Sequence, residues 1–137
     1  MRALILALAL AACSTGAPEE PPPPQLPQRA GVDPLLAARA EGIEFRAVGN
    51  GFVLDIYRQE RIRLTRTASG EEIFFPKQAP LYPRWRGSIY EVENERHQLR
   101  VEIREYRPCE RPDSALFTTS VIVVLDGEEM LACGRAL

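Results

Sequence analysis

The single histidine, His97, lies in Asn94-Glu95-Arg96-His97-Gln98, a polar stretch between two alternating runs that reads as a hairpin tip. A general base or a metal ligand there would need partners, and no second histidine exists to join it. Glu91, Glu93 and Glu95 recur at every second position, which sets them on one strand face. Paired carboxylates of this kind are the equipment of a glycoside hydrolase. Arg100 and Arg104 follow on the exposed face of the next strand, and cross-strand ion pairs on a wet surface account for the same residues. Glu71-Glu72 and Glu128-Glu129 read as solvated strand starts. No Gly-rich loop leads from a strand into a helix, so the nucleotide fingerprints are missing. Tyr82, Trp85 and Arg86 cluster beside Phe74 and Phe75, and Trp and Arg are typical anchors of an interface. A lone Trp also serves as a barrel plug, the reading preferred for Trp85. With 17 Lys plus Arg against 19 Asp plus Glu, the net charge of -2 provides no basic field for a polyanion, so nucleic acid is excluded as a partner. The expectation is a non-catalytic protein with no cofactor and no metal.

The elements that carry these residues are strands. Ile43, Phe45 and Ala47 alternate with Glu44 and Arg46, and Gly49-Asn50-Gly51 supplies a turn. Phe52 to Tyr57 and Arg61 to Thr65 continue the period of two. Ala68-Ser69-Gly70 turns the chain into Glu71 to Phe75, which Pro76 ends. Lys77 to Arg86 is irregular, because Pro80 and Pro83 block ladder bonds. Further strands are expected at Ser88 to Glu93, Gln98 to Tyr106, Phe117 to Leu125 and Glu128 to Cys133, the last two joined at Asp126-Gly127. The pattern predicts an all-β antiparallel meander over residues 43–137, closed or nearly closed into an eight-stranded barrel, with an open sheet as the other possibility. Phe45, Leu54, Ile56, Leu64, Val101, Ile103, Val121 and Val123 should point inward. Residues 33–42 precede it as a short helix, with Asp33 as cap, Pro34 in the first turn and Gly42 as stop.

The first 32 residues have a different composition. Met1-Arg2 leads into Ala3 to Ala12, ten uncharged residues, where a membrane-spanning helix needs about 20. That length suits the core of a secretory signal; a buried helix of the domain is the alternative. Leu10-Ala11-Ala12-Cys13 resembles the lipobox of bacterial lipoproteins, in which small side chains admit a peptidase and the Cys thiol takes a diacylglyceryl group. The resemblance implies a signal peptide over 1–12, cleavage before Cys13 and a membrane anchor there, stable once two or more acyl chains are attached. Ser14 rather than Asp follows Cys13, which by likeness to the Gram-negative sorting pattern implies the outer membrane, with the domain facing the periplasm. Residues 13–32 then form a lipidated, Pro-rich tether. Pro21 to Pro24 favour polyproline geometry, with a reach of roughly 50 Å for the whole segment at ~3.1 Å per residue; a docking site for a Pro-recognising domain is the other use. With Cys13 assigned to the lipid, Cys109 and Cys133 remain as an even pair, and outside the cytoplasm such a pair persists as a disulfide. A redox pair or a metal site is the alternative, disfavoured by the wide spacing.

Phe45-Arg46-Ala47-Val48-Gly49-Asn50 resembles the FRA-x-GNEPGW-like opening of a family of uncharacterised bacterial lipoproteins and membrane proteins. Members also carry a mid-domain Cys, here Cys109, and a closing GCGR-like segment, here Ala132-Cys133-Gly134-Arg135. The chain departs at Gly51-Phe52, where the family has Glu-Pro-Gly-Trp, and at Pro112-Asp113-Ser114, where it has a Met-Ser-Gly turn. The family implies a periplasm-facing β domain and no particular activity. Thr67-Ala68-Ser69-Gly70 is similar to the Ser-Ala-Ser-Gly turn of the membrane-bound inhibitors of c-type lysozyme, lipoproteins with an eight-stranded barrel and a disulfide. Their following Tyr is Ile73 here, and Trp85-Arg86-Gly87 stands for their Trp-x-Lys-Gly segment without its Lys. This likeness implies Ser69 in a lysozyme cleft and Glu71 and Glu72 against a basic enzyme. The sequence thus points first to a lipid-anchored envelope protein that binds or supports an envelope partner, and second to a lysozyme inhibitor.

Overall fold

Alternation of apolar and polar residues gives each strand one face to bury, and eight such strands bury those faces against one another. In a computed structural model, which describes residues 16, 33–110 and 116–137, they run β1 (Ile43–Gly49), β2 (Phe52–Tyr57), β3 (Arg61–Arg66), β4 (Glu72–Pro76), β5 (Gly87–Glu93), β6 (Gln98–Pro108), β7 (Thr119–Leu125) and β8 (Glu128–Ala136). The signal, lipid and tether expectations for residues 1–32 and the Pro112-Asp113-Ser114 turn lie outside these residues, Gly16 excepted. Every ladder is antiparallel, in the order β4-β3-β2-β1-β8-β7-β6-β5, and the fold is a nearly closed barrel. All eight residues expected to point inward are in its core, together with Phe52, Ile62, Ile73, Phe75, Tyr90, Val92, Leu99 and Leu125.

The first and last strands join the two halves of the sheet. Phe45 to Gly49 of β1 pairs with Ala136 to Ala132 of β8, so the two segments that carry the FRA-x-GN likeness and the CGR likeness lie side by side. Their residues fit each other. A Cβ on Gly134 would stand 2.4 Å from the Phe45 ring and 2.9 Å from Val121, so glycine is what lets Phe45 turn into the core. These two segments therefore have a folding role whatever else they do.

The break in the barrel falls in mid-chain. Among the described residues no ladder joins β4 to β5. Tight turns link the other neighbours on the β1–β4 side, whereas the β4–β5 connection contains Pro80 and Pro83 and meets β5 only through the Leu81–Ile89 bridge. Lys77 draws the chain away from the seam: its Nζ donates to Glu44 Oε1 (2.5 Å) and to the carbonyls of Tyr57 (2.8 Å) and Arg58 (3.3 Å).

The short helix α1 (Pro34–Ala40) starts at Asp33, whose side chain accepts the Leu35 N–H at 2.9 Å, and ends before Gly42 at φ +90°. Its Ala38 joins Ile43 and Tyr57 in a small second cluster outside the barrel core. Antiparallel neighbours alternate their connections between two ends. The turns at 50–51, 67–71, 94–97 and 126–127 share one end, the hairpin end. The other end receives α1, both ends of the domain's chain, and the β2–β3, β4–β5 and β6–β7 connections.

Candidate functional site

The hairpin end gathers most of the polar residues singled out in the sequence. Gly70, at φ +72°, lets the β3–β4 turn close with its N–H on the Arg66 carbonyl (2.9 Å). Ser69 stands exposed on this turn, with Oγ accepting the Glu71 N–H at 3.2 Å. Glu71 and Glu72 are exposed and meet Arg66 and Arg63 at 3.4 and 3.6 Å. Beside them Asn94 organises the β5–β6 tip: its Oδ1 accepts the N–H groups of Arg96 (2.8 Å) and His97 (2.7 Å). Its Nδ2 donates across the seam to the Phe74 carbonyl at 2.8 Å. A cavity of about 320 Å³ lies between the two tips, lined by Glu71 to Phe74 and Asn94 to His97.

His97 ties two hairpins together, its Nδ1 lying 2.6 Å from Asp126 Oδ2. The hydrogen bonds from His97 and from the Gln98 N–H hold the Asp126 carboxyl below the ordinary carboxylate range. Glu71, Glu72, Glu95, Asp126, Glu128 and Glu129 are all exposed around this end, against Arg66 and Arg96. The rim is therefore acidic although the whole chain is nearly neutral. Among the described residues no group of three or more His, Cys, Asp or Glu is placed to hold a metal ion.

Glu91 and Glu93 lie on β5, outside the barrel. Glu91 pairs with Arg100 of β6, and Glu102 accepts from Arg100 (2.9 Å) and Arg104 (2.8 Å). A hydrolase would need Glu91 free to attack or to donate, and a guanidinium already occupies it. Glu95 does not share their face, because the strand ends at Glu93 and the tight Asn94 turn carries Glu95 onto the bend. That corrects the expectation of three carboxylates in one row.

Trp85 and Arg86 belong to the opposite end. Trp85 is half-buried outside the core, edge-on to Tyr106 with ring centroids 5.6 Å apart. The barrel-plug reading is thereby corrected: aliphatic residues with Phe45, Phe52, Phe75 and Tyr90 fill the interior, and the Trp85 ring lies over Gly87, where a Cβ would come within 2.5 Å of it. Nor do the aromatics form one cluster. Phe75 is 1% exposed inside the barrel, Phe74 is on its outer side, and Tyr82 is 80% exposed. Arg86 projects into solvent and meets Glu105 at 3.3 Å. The residues proposed for a partner contact thus divide between two ends, with Ser69, Glu71 and Glu72 at one and Trp85 and Arg86 at the other.

Cys109 and Cys133 form a disulfide, their Cα atoms 5.6 Å apart. It pins the segment after β6 to β8. A cleft of about 480 Å³ on the outer wall beside it is lined by Val48, Ile122 and Leu131 and by Arg104 and Arg107.

Asp55 is not among the residues that motif or spacing singles out. It is 1% exposed, and Arg46 (Nε, 2.6 Å) and Arg63 (Nη2, 2.8 Å) hold it from the strands on either side. Counting outward from the β1–β2 and β2–β3 turns places these three residues opposite one another, so the hairpin register was the signal that could have found them. Neither a protein-family model, nor a curated protein, nor a solved structure matches this chain.

Proposed function

We propose that the chain is a lipoprotein anchored at Cys13 in the outer membrane, whose β domain faces the periplasm and works by binding rather than by catalysis. The observation that carries the binding half is the acidic hairpin rim, at the end of the barrel opposite to the one where the chain enters. A packed apolar interior supports it too, since it leaves recognition to the outer surface. The lipid half rests on Leu10-Ala11-Ala12-Cys13 and on the Pro-rich spacer behind it. Labelling cells with a palmitate analogue tests the anchor: the wild-type chain takes the label, and undiminished labelling of Cys13→Ser refutes it.

A lysozyme inhibitor is the second reading. The exposed Ser69 on a turn flanked by Glu71 and Glu72 favours it, while Ile73, buried in the barrel where those inhibitors carry Tyr, weighs against it. Titrating the full chain into a c-type lysozyme assay separates the two. Potent inhibition that Ser69→Arg abolishes establishes the inhibitor, and no inhibition by either protein removes it.

A further inference from the structure

The seam between β4 and β5 leaves two strand edges unpaired beyond the Leu81–Ile89 bridge, and hydrogen-bond parity shows which groups they present. Arg66 N–H bonds Glu71 O (2.8 Å) and Lys77 N–H bonds Glu60 O (2.9 Å), so between them Ile73 and Phe75 face β3. The N–H and C=O groups of Glu72 and Phe74 therefore turn toward the seam. On the other side, Ile89 exchanges both of its bonds with Leu81 at 2.7 and 2.9 Å, which turns Glu91 and Glu93 toward the seam as well. The Asn94 amide on Phe74 O is the one side-chain plug in this edge among the described residues. Such an edge is a template for another extended chain.

The side chains define what that chain must be. Residues facing outward along the seam are Glu72 and Phe74 on β4 and Glu91 and Glu93 on β5, with Glu95 just beyond. Glu93 and Glu95 have no ion-pair partner among the described residues. Residues facing inward are Ile73, Phe75, Tyr90 and Val92, all buried and all but the Tyr90 hydroxyl apolar.

We infer that the seam binds an extended segment of a partner protein in which cationic residues alternate with aliphatic ones. Its backbone pairs with Glu72 and Phe74 after displacing the Asn94 amide, its cations lie among Glu72, Glu93 and Glu95, and its aliphatic side chains close the seam beside Ile73, Phe75, Tyr90 and Val92 without entering the filled interior. This rests on reading the domain as a binding module and gives that module a site. Edge pairing supplies affinity, and the two faces supply selectivity.

The test uses the full chain in detergent and a fluorescent peptide alternating Lys and Val, followed by anisotropy. The expected result is saturable binding that falls roughly tenfold or more when alternate peptide nitrogens are methylated, because pairing bonds are lost. Phe74→Pro should weaken it similarly. The Phe74 N–H faces the seam and not β3, and Pro76 already occupies an equivalent place on this strand, so the substitution leaves the ladder intact. Glu93→Lys with Glu95→Lys, two exposed sites, gives a second arm independent of the backbone and should also cost tenfold. Equal binding of the methylated peptide, equal binding of a Glu/Val peptide, or no saturable binding would each overturn the inference. So would a dimer in sedimentation that Phe74→Pro dissolves, since the edge would then belong to a second copy. Peptide binding is blind to lipidation and to lysozyme, so this inference and the anchoring reading fail separately.

Discussion

Two arginine–carboxylate–arginine triads lie on the outside of one barrel, and they are built differently. Asp55 on β2 is held by Arg46 of β1 and Arg63 of β3, so the triad spans three strands. Glu102 is held by Arg100 and Arg104 of its own strand, and only the Arg100–Glu91 pair reaches a neighbour. The carboxylate of the first triad is closed from water, with Asp55 at 1% exposure between Arg46 and Arg63 at 21% and 19%, and the Tyr57 ring lies 5.4 Å from the Arg63 guanidinium. The second is more open, with Glu102 at 15%, Arg104 at 25% and Arg100 at 39%. The same residue types thus act as a buried tie between strands in one region and as a solvated surface in the other. Burial decides the energetics, because a charge left alone in a dry site costs far more than one left in water.

The largest effect follows directly. Asp55→Ala strands the Arg46 guanidinium, leaves Arg63 only its longer contacts to Glu41 and Glu72 (both 3.6 Å), and should cost about 3 kcal/mol. Both cations are fixed as charged. The hydrogen bond to Asp55 raises the Arg46 pKa above its ordinary value; for Arg63, burial acts downward but the bond to Asp55 outweighs it. Urea unfolding followed by the fluorescence of Trp85, the single tryptophan, measures the loss. The companion triple variant, with Arg46→Met and Arg63→Met added, should recover most of it, since well-packed apolar groups replace buried ions at little cost. A loss from Asp55→Ala below that of Glu102→Ala would break the comparison.

The second region has its own cross-strand tie, and it is covalent. Cys109 follows β6 directly and is bonded to Cys133 of β8, in the cleft that Arg104 also lines. Replacing both cysteines by Ser should cost about 3 kcal/mol through the freed loop. This loss should be independent of salt, and it should add to that of Asp55→Ala, with which it shares no partner. Denaturant midpoints of the two variants and of their combination check this. A large coupling between them would mean that the two regions are one network.

The contrast also marks what the sequence made legible. Alternation placed the strands within three residues of their observed ends, the last strand running to Ala136 rather than Cys133, and chose the inward residues, because the side-chain period of a strand is local information. The same alternation leaves Asp55 on the face away from Leu54 and Ile56, yet outside does not mean wet there: register brings Arg46 and Arg63 over it. Cys109 and Cys133 were found as a pair by counting. The β4–β5 seam was not legible, since it depends on which distant strands close the barrel. Trp85 misled because indole volume suggests a core residue, and only the filled interior and the close approach at Gly87 keep it outside. Of the site residues, Ser69, Glu71 and Glu72 could be grouped from one turn, whereas Asn94 and Phe74 meet them only through tertiary contact.

A smaller effect tests the open triad by pH. Burial would raise the Glu102 pKa, but the hydrogen bonds from Arg104 and Arg100 outweigh it and hold the carboxyl below its ordinary 4.5. A depressed folded-state pKa contributes stability above the unfolded value, and this is lost as pH falls through the folded value. Glu102→Gln should therefore lower stability by about 1 kcal/mol at neutral pH. The gap from wild type should begin to close near pH 4.5 and vanish below the folded pKa. Thermal melts of both proteins across that window show it. A gap that widens with acid would reverse the assigned sign.

The smallest effect belongs to Glu91. Its side chain is 53% exposed, and its partner Arg100 keeps Glu102 whether or not Glu91 is present. Removing it strands nothing: Arg100 remains paired and solvated. Glu91→Gln should therefore change stability by no more than about 0.5 kcal/mol, and added salt should erase even that. The measurement is a salt series of denaturant midpoints for wild type, Glu91→Gln and Glu102→Gln. The expected order is Glu91 below Glu102 at low salt and no Glu91 effect at high salt. If Glu91→Gln instead costs more than Glu102→Gln, the strand-to-strand link outweighs burial on this face. The difference between the two triads would then lie in how many strands they join, and not in how far they are shielded from water.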